Sequence, residues 1–186
     1  MGKPRLSPLP KGEWDAEIQD VFEKMGYETE TELYNVLKTL AHHPKLLKRW
    51  LPFANHVLFK SKLCPRLREI VILRTGWLCR SEYEWTQHVR IAKEEAAMTM
   101  VDFSAIEVGS TDPYWSHKER AALQLAEELY ATKNIRDSTW AELTRYFNHK
   151  QLMDMVAAVG NYTMVSMMLN TFGVPLDDWL ERYENF

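Results

Sequence analysis

The chain has 186 residues, of which 46% are hydrophobic, so it can bury the core of a globular domain and is not a disordered chain. Its 23 basic and 26 acidic residues give a net charge of -3 without any basic block, which argues against binding to nucleic acid. Only 7 glycines and 8 prolines punctuate a sequence that is 12% aromatic, a mixture typical of packed helices rather than of a many-turned β-sandwich.

The first half of the chain predicts a short arm followed by four helices. The arm, residues 1–14, contains three prolines and lacks the apolar core of a signal peptide, so we expect a cytoplasmic protein. Apolar residues then recur at helical spacing in three segments, 15–25, 31–42 and 45–60. A fourth helix should begin at Pro65, which suits a first helical turn, and should break near Cys79.

The second half of the chain predicts four more helices and one loop. A serine followed three residues later by a glutamate is a capping box, and this pattern predicts helix starts at Ser81 with Glu84 and at Ser116 with Glu119. Asp137 is expected to cap a third helix, to about residue 147. The fourth, from about residue 150 to 172, should stop at glycine and proline, and the most loop-like stretch is 98–115. One all-helical domain, residues 15–186, is the predicted organisation.

The most apolar stretch, residues 153–172, is long enough to consider as a membrane span. It nevertheless contains five polar side chains, which are costly in lipid: Asp154, Asn161, Thr163, Ser166 and Asn170. We therefore expect a buried helix and no membrane association.

The two cysteines, Cys64 and Cys79, lie fifteen residues apart at opposite ends of one predicted helix. At a rise of about 1.5 Å per residue they would be about 20 Å apart, too far for a disulfide bond. Cys79 precedes a helix start and adjoins Arg80, and both features can lower the pKa of a thiol. A reactive role and a packing role therefore both remain open for Cys79.

The histidines show no metal-binding pattern such as H-E-x-x-H, so we expect neither a metal nor a cofactor. His88 follows Glu84 by four residues, which places the carboxyl group and the imidazole on one helix face. A partly buried pair of this kind is a candidate acid–base device. A capping glutamate beside an exposed histidine is the alternative interpretation.

Aromatic residues surround this pair in sequence, and a cation lies nearby. Trp77, Tyr83 and Trp85 fall close to the predicted helix junction, and Arg74 lies on the preceding turn. Together they suggest an aromatic-walled pocket whose guanidinium binds an anion, although a tryptophan-rich helix junction would show the same pattern.

A polar stripe interrupts the last long helix. Thr163, Ser166 and Asn170 recur at spacings of three and four residues, so they share one face of an otherwise apolar helix. Such residues either join helices by hydrogen bonds or line a cavity. The neighbouring Tyr162 could add a phenol to such a cavity or pack in the core.

Two segments resemble the carboxymuconolactone decarboxylase family, which includes alkylhydroperoxidase D. They are REIVILRTG at 68–76 and SEYEWTQH at 81–88, and the similarity extends from about residue 30 to residue 174. The resemblance implies an all-helical, alkylhydroperoxidase D-like bundle that assembles as a homotrimer or homohexamer.

The peroxidase branch of that family has a glutamate, eleven residues, C-x-x-C, three residues and a histidine. Glu69 and His88 match this pattern, but Ser81 and Glu84 occupy the two cysteine positions. The decarboxylase branch instead has a glutamate four residues before the histidine, as this chain does.

The resemblance therefore implies a cofactor-independent enzyme that decarboxylates or isomerises a cyclic organic acid. Arg74 would hold the carboxylate, His88 would move the proton, and Glu84 or Glu69 would orient the imidazole. A thiol peroxidase that uses Cys79 alone and a non-catalytic, ligand-binding oligomer are the alternatives. The residues that we expect at the substrate are Arg74, Trp77, Tyr83, Trp85, Tyr162, Ser166 and Asn170.

Overall fold

The computed structural model describes residues 3–26 and 33–183, and these ranges are helical without any β-strand. A short 3-10 helix, Lys11–Glu13, precedes the first α-helix, and a π-helical turn, His56–Lys60, continues the third. The helices in chain order are α1 Ala16–Lys24, α2 Asn35–Leu40, α3 Pro44–Asn55, α4 Pro65–Leu78, α5 Glu82–Ala96, α6 Met100–Val108, α7 His117–Thr132, α8 Asp137–Leu143 and α9 His149–Phe172.

Helix α4 is the centre of the fold, since it packs against α5, α6, α7 and α9 and its residues 67–76 are all buried. Four consecutive apolar residues, 70–73, are completely buried, and each stabilises the fold by about 1.5–3 kcal/mol. The same buried stretch contains Arg68, Glu69 and Arg74. Buried charges require partners, so these three residues mark the places where α4 does more than pack.

Several predicted helix boundaries are confirmed. α4 begins at Pro65, and α7 begins with the expected capping box, in which Ser116 and Glu119 each accept a hydrogen bond from the backbone amide of the other. α9 ends at Gly173, whose φ of 67° is the left-handed conformation that glycine adopts without strain. The helix predicted over 31–42 is observed as α2, and residues 27–32 lie outside the described part of the chain.

The capping box predicted at Ser81 is wrong. Ser81 precedes α5, but its hydroxyl is buried and has no hydrogen-bond partner among the described residues. Glu84 does not reach back to the helix start because its carboxyl group lies beside His88. The departure from the expected local structure therefore occurs at the candidate site.

Two other local predictions need correction. Half of the stretch expected as a loop, 98–115, forms α6, which begins with a capping box between Thr99 and Asp102. This threonine and aspartate pair satisfies the same backbone groups as serine and glutamate. Asp137 is the first residue of α8, and the cap position belongs to Arg136.

Helix α9 is long and apolar enough to cross a membrane by length and composition alone, but 56% of its most apolar window is buried within the structure. Residues of α9 pack against α4 and α7, as expected for a core helix. At its C-terminal end, the backbone amides of Arg5 and Leu6 donate to the carbonyl oxygen of Phe172, which holds the N-terminal segment against the helix.

Candidate active site

Three residues from α4 and α5 form a connected chain of polar groups. His88 Nδ1 lies 2.7 Å from a carboxylate oxygen of Glu69, and His88 Nε2 lies 3.5 Å from a carboxylate oxygen of Glu84. Arg68 Nε donates to the second oxygen of Glu69 at 2.8 Å. Because a carboxylate only accepts, Nδ1 carries a proton and the other ring nitrogen faces Glu84.

Helices α4 and α5 approach each other closely at Gly76, where there is room for a Cβ atom but not for a longer side chain. A Cβ atom placed on Gly76 would lie 3.4 Å from the Cβ of Glu84 and 3.7 Å from the backbone nitrogen of Trp85. A larger side chain at this position would therefore force the two helices apart and move Glu84.

Burial and neighbouring charges shift the pKa values of Glu84 and His88. Burial, with a contribution from the charge of Glu69, raises the pKa of the Glu84 carboxyl to about 7, although the charge of His88 opposes the shift. For His88, burial opposes the cation, but the charge of Glu69 and its hydrogen bond prevail and raise the pKa of the imidazole. The Glu84 carboxyl therefore exchanges its proton near neutral pH, and the His88 imidazole binds its proton more tightly than an ordinary histidine does.

Glu84 and His88 lie on the wall of a pocket of about 280 Å³. The pocket is formed by α2, α3, α5 and α9, and most of its surface is apolar. Its apolar and aromatic lining includes Met25, Tyr34, Val36, Leu37, Trp50, Leu51, Ala54, Leu58, Phe59, Ile91 and Val165. A mostly apolar pocket with a few convergent polar groups is typical of a small-molecule site.

Helix α9 contributes Tyr162 and Asn161 to the same pocket. The Tyr162 ring meets the imidazole of His88 edge-on, with centroids 4.8 Å apart. Burial and the charges of Glu84 and Glu69 raise the pKa of Tyr162 well above its usual value, so its hydroxyl remains a hydrogen-bond donor. Asn161 accepts a hydrogen bond from Trp50 Nε1 at 2.8 Å.

Arg74 lies away from this pocket. Its guanidinium donates to the carbonyl oxygens of Ile106 and Glu107, at 2.8 Å each, and to the carboxylate of Glu127 at 3.0 Å. These contacts join α4 to the C-terminal end of α6 and to α7. The geometry therefore contradicts the predicted role of Arg74 as the substrate anion binder.

The predicted aromatic wall is only partly present. Trp85 is completely buried in the core and packs on Trp77 with ring centroids 5.0 Å apart, and neither residue lines the pocket. Tyr83 does line it, with its hydroxyl donating to Asp177 at 2.6 Å. The two tryptophans thus form a helix junction, whereas other aromatic residues wall the pocket.

Cys79 meets the polar stripe of α9 outside the pocket. Its thiol lies close to Thr163 and Ser166, and its carbonyl oxygen accepts a hydrogen bond from Asn170 at 2.9 Å. Burial raises the pKa of the thiol, which favours the packing role over the reactive role that the sequence left open for Cys79. Asn170 therefore joins α9 to the end of α4, and neither Ser166 nor Asn170 lines the pocket.

Both cysteines are free, and Cys64 is exposed at the opposite end of α4 from Cys79. Across residues 3–26 and 33–183, no group of three or more His, Cys, Asp or Glu side chains is placed to hold a metal ion.

Four residues that matter for the site were not predicted from sequence: Arg68, Trp50, Asn161 and Gln87. Trp50 belongs to an apolar helical stripe that indicates core packing, and its contact with Asn161 joins positions 111 residues apart. Gln87 lines the pocket and donates to Asp177 at 2.7 Å. Only the polar character of Asn161 in an apolar helix could have pointed to it.

A comparison with protein families gives one match on this central region. The model of the carboxymuconolactone decarboxylase family matches residues 44–128, which contain α4, α5 and the Glu69–His88–Glu84 chain. This match covers slightly less than half of the chain and includes the whole of the Glu69–His88–Glu84 chain. A comparison with curated proteins gave no match.

Solved structures share the whole fold. An uncharacterised peroxidase-related protein from Silicibacter sp. TM1040 superposes with a TM-score of 0.75 at 16% identity, covering 100% of this chain and 95% of that one. A peroxidase-related protein with an alkylhydroperoxidase D core from Ralstonia eutropha JMP134 gives 0.73 at 20% identity, with 95% of each chain covered.

The debrominase Bmp8, in a cysteine-to-alanine variant bound to 2,3,4-tribromopyrrole, gives a TM-score of 0.70 at 14% identity, covering 95% of this chain and 93% of that one. These likenesses confirm the predicted all-helical, alkylhydroperoxidase D-like fold. At such low identity they show the fold and not a shared reaction.

Proposed function

We propose that this protein is a cofactor-independent acid–base enzyme of the carboxymuconolactone decarboxylase family that moves a proton on a small cyclic organic molecule. The observation that carries the proposal is the chain Glu69–His88–Glu84, whose last two members lie on the pocket wall. A carboxyl group with a pKa of about 7 beside an imidazole of raised pKa provides an acid and a base that can exchange a proton with a bound ligand.

The geometry assigns different roles to Glu69 and to the Glu84 and His88 pair. Glu69 fixes the imidazole through Nδ1 and stabilises its cation, so it acts through His88 rather than on the substrate. Glu84 and His88 Nε2 face each other at 3.5 Å, so one of them can act as the acid while the other acts as the base. A ligand between this pair and the opposite wall would lose a proton to one group and regain one at a second position.

Hydrogen-bond donors are available for the charge that develops on the ligand. Removing a proton next to a carbonyl group places negative charge on the carbonyl oxygen. The phenol of Tyr162 and the side-chain amide of Asn161 both line the pocket, and both are donors without a formal charge. They are the groups that we expect to stabilise an enolate oxygen.

Among the reactions of the family, the geometry favours a proton shift over loss of carbon dioxide. Decarboxylation starts from a bound carboxylate, and the cation expected to hold it, Arg74, bonds instead to backbone carbonyl oxygens and to Glu127. Isomerisation of a cyclic carbonyl compound requires only an acid–base pair and neutral donors.

Isomerisation of 3-cyclohexen-1-one to the conjugated 2-cyclohexen-1-one provides the test, because conjugation is seen directly by ultraviolet absorbance. C2 loses a proton and C4 gains one, so the double bond moves from C3=C4 to C2=C3. The wild type should catalyse this shift, and His88→Gln and Glu84→Gln should lose at least about 100-fold in rate. The exposed Glu23 on α1 provides a matched control, Glu23→Gln, which should retain full activity. Equal rates in all four proteins would contradict the proposal.

The alternatives make different predictions in the same proteins. A thiol peroxidase would consume hydroperoxide with a dithiol reductant and would lose this activity in Cys79→Ser. A non-catalytic binding protein would take up ring compounds without turning over any of them. The raised pKa of the Cys79 thiol and its position outside the pocket support the acid–base enzyme.

We also propose a homotrimer or homohexamer. On α9, the exposed apolar side chains of Met153, Val156 and Met167 support self-association, because such patches commonly mark interfaces. Sedimentation at micromolar concentration should give three or six subunits, and a monomer would contradict this part of the proposal.

A further inference from the structure

Each arginine at or beside the pocket forms an ion pair with at least one glutamate. Among the described residues that line it, Arg90 is the one arginine or lysine, and its Nη1 donates to both carboxylate oxygens of Glu94, at 3.0 and 2.8 Å. Its guanidinium also lies over the ring of Trp179, 5.2 Å from the centroid. The cation nearest in sequence to the proton-transfer chain, Arg68, pairs with Glu69 and Glu95.

Three carboxylates therefore face two guanidinium groups before the Glu84 and His88 pair is counted, and both guanidinium groups already have an anionic partner. The Glu84 and His88 pair is neutral overall when one proton lies on either Glu84 or His88 Nε2. The charged groups around the pocket therefore have no net positive charge. A ligand carboxylate would lose its hydration on entry and would meet no unmatched cation in return.

The same matching disfavours an ammonium group. Glu69, Glu94 and Glu95 each already face a guanidinium, so a bound amine would have to displace one of these contacts or ionise Glu84 beside three other carboxylates. The rest of the wall offers apolar and aromatic side chains with the neutral donors Tyr162 and Asn161.

The size of the pocket limits the ligand further. A buried apolar cavity of about 150 Å³ is sufficient for a benzene molecule. The pocket described above, at about 280 Å³, has room for one ring with substituents or for two fused rings.

We infer that the ligand of this pocket is an uncharged compound of one or two rings with a carbonyl or hydroxyl group and without a carboxylate or ammonium group. The inference rests on the proposed function for the site and names its substrate class. It departs from the cyclic acid expected from the sequence, because the cation assigned to bind that acid is held elsewhere in the fold.

Three matched probes test the charge preference by binding alone. 4-Methylphenol, 4-hydroxybenzoate and 4-(aminomethyl)phenol share one ring and one hydroxyl group, and they differ in whether the para substituent is neutral, anionic or cationic. Calorimetric titration of the full chain at pH 7 should give a Kd for 4-methylphenol at least tenfold lower than for either charged probe. A charged probe that binds as tightly as 4-methylphenol, or no binding by any probe at millimolar concentration, would overturn the inference.

A single substitution tests the reason for this preference. Glu94→Gln removes the counter-ion of Arg90, whose Nε already has no hydrogen-bond partner among the described residues. The variant should bind 4-hydroxybenzoate several-fold more tightly than the wild type does, with unchanged affinity for 4-methylphenol. Glu23→Gln, the surface control, should change neither affinity. Unchanged binding of the carboxylate in Glu94→Gln would contradict the charge argument.

These titrations are independent of catalysis. A protein that binds 4-methylphenol selectively but fails to isomerise 3-cyclohexen-1-one would refute the proposed function and leave the charge preference standing. Isomerisation combined with preferred binding of 4-hydroxybenzoate would refute the substrate class and leave the proposed function standing.

Discussion

His88 Nδ1 and a carboxylate oxygen of Glu69 are 2.7 Å apart, and both side chains are buried between α4 and α5. The second oxygen of Glu69 accepts a hydrogen bond from Arg68. Glu69 therefore links the guanidinium of Arg68 to the imidazole of His88. Through its charge and hydrogen bond it raises the pKa of that imidazole.

Glu69→Gln should alter the pH dependence of activity more than the binding of substrate. Removing the carboxylate takes away the charge that raises the pKa of His88, so this pKa should fall. The limb of the kcat profile that reports His88 should move to lower pH, while KM changes little. A variant that loses activity with an unshifted pH profile would show that Glu69 has a structural role only.

Stability should fall as pH rises from about 4.5 to about 7, in part because of Glu84. Its carboxyl pKa is about 7 in the folded protein against 4.5 in its ordinary environment, so the folded state binds more protons than the unfolded state in this interval. The shift corresponds to roughly 3 kcal/mol of unfolding free energy. His88 acts in the same direction, since its stabilising contribution is present below 6.5 and is lost as pH rises through its raised folded pKa.

Urea unfolding of wild type and Glu84→Gln across this pH range measures the effect. The variant should show a flatter dependence of unfolding free energy on pH. The prediction fails if the two proteins lose stability in parallel.

Cys79 should be unreactive at neutral pH and dispensable for turnover. Because burial raises the pKa of its thiol, little thiolate is present at pH 7. In a Cys64→Ser background, which removes the exposed cysteine, alkylation by iodoacetamide should be slow at pH 7 and should accelerate above pH 9. Cys79→Ser should retain the isomerase activity, and rapid alkylation at pH 7 or loss of that activity would count against this assignment.

Arg74→Gln should reduce stability rather than substrate affinity. The substitution takes the donor from two backbone carbonyl oxygens and the cation from Glu127, which keeps only its hydrogen bonds from Ser110, and we expect this to cost about 3 kcal/mol. Arg136→Gln is a matched control, because Arg136 is exposed and its ion pair with Glu128 should contribute less than about 1 kcal/mol. Thermal unfolding and KM distinguish the two roles, and a raised KM at unchanged stability would restore Arg74 to the substrate site.

The residues of the proton-transfer chain could be predicted from the sequence, but most residues that line the pocket could not. Glu84 and His88 share a helix, so a spacing of four residues places them together whatever the rest of the chain does. Glu69 could be assigned only through the family pattern. Arg74 was misassigned because its carbonyl partners lie at the end of α6, in a stretch whose glycine and proline had predicted a loop.

The residues that wall the pocket show why the remainder was missed. Trp50 and Asn161 meet across 111 positions, and Tyr83 reaches Asp177 across 94. Helical periodicity reports which face of a helix is buried, but it does not report which distant helix covers that face. The tryptophans nearest the motif, Trp77 and Trp85, consequently looked like pocket residues although they pack in the core.

Hydrogen exchange between solvent and a ring ketone would reveal proton transfer by the Glu84 and His88 pair whether or not a product accumulates. Cyclohexanone would be incubated in deuterated buffer with the wild type, His88→Gln and Glu23→Gln, and deuterium at the carbons next to the carbonyl group would be followed by NMR. We expect catalysed exchange in the wild type and in Glu23→Gln, and at least about a 100-fold slower rate in His88→Gln. Equal exchange in His88→Gln and the wild type would contradict the proposed function.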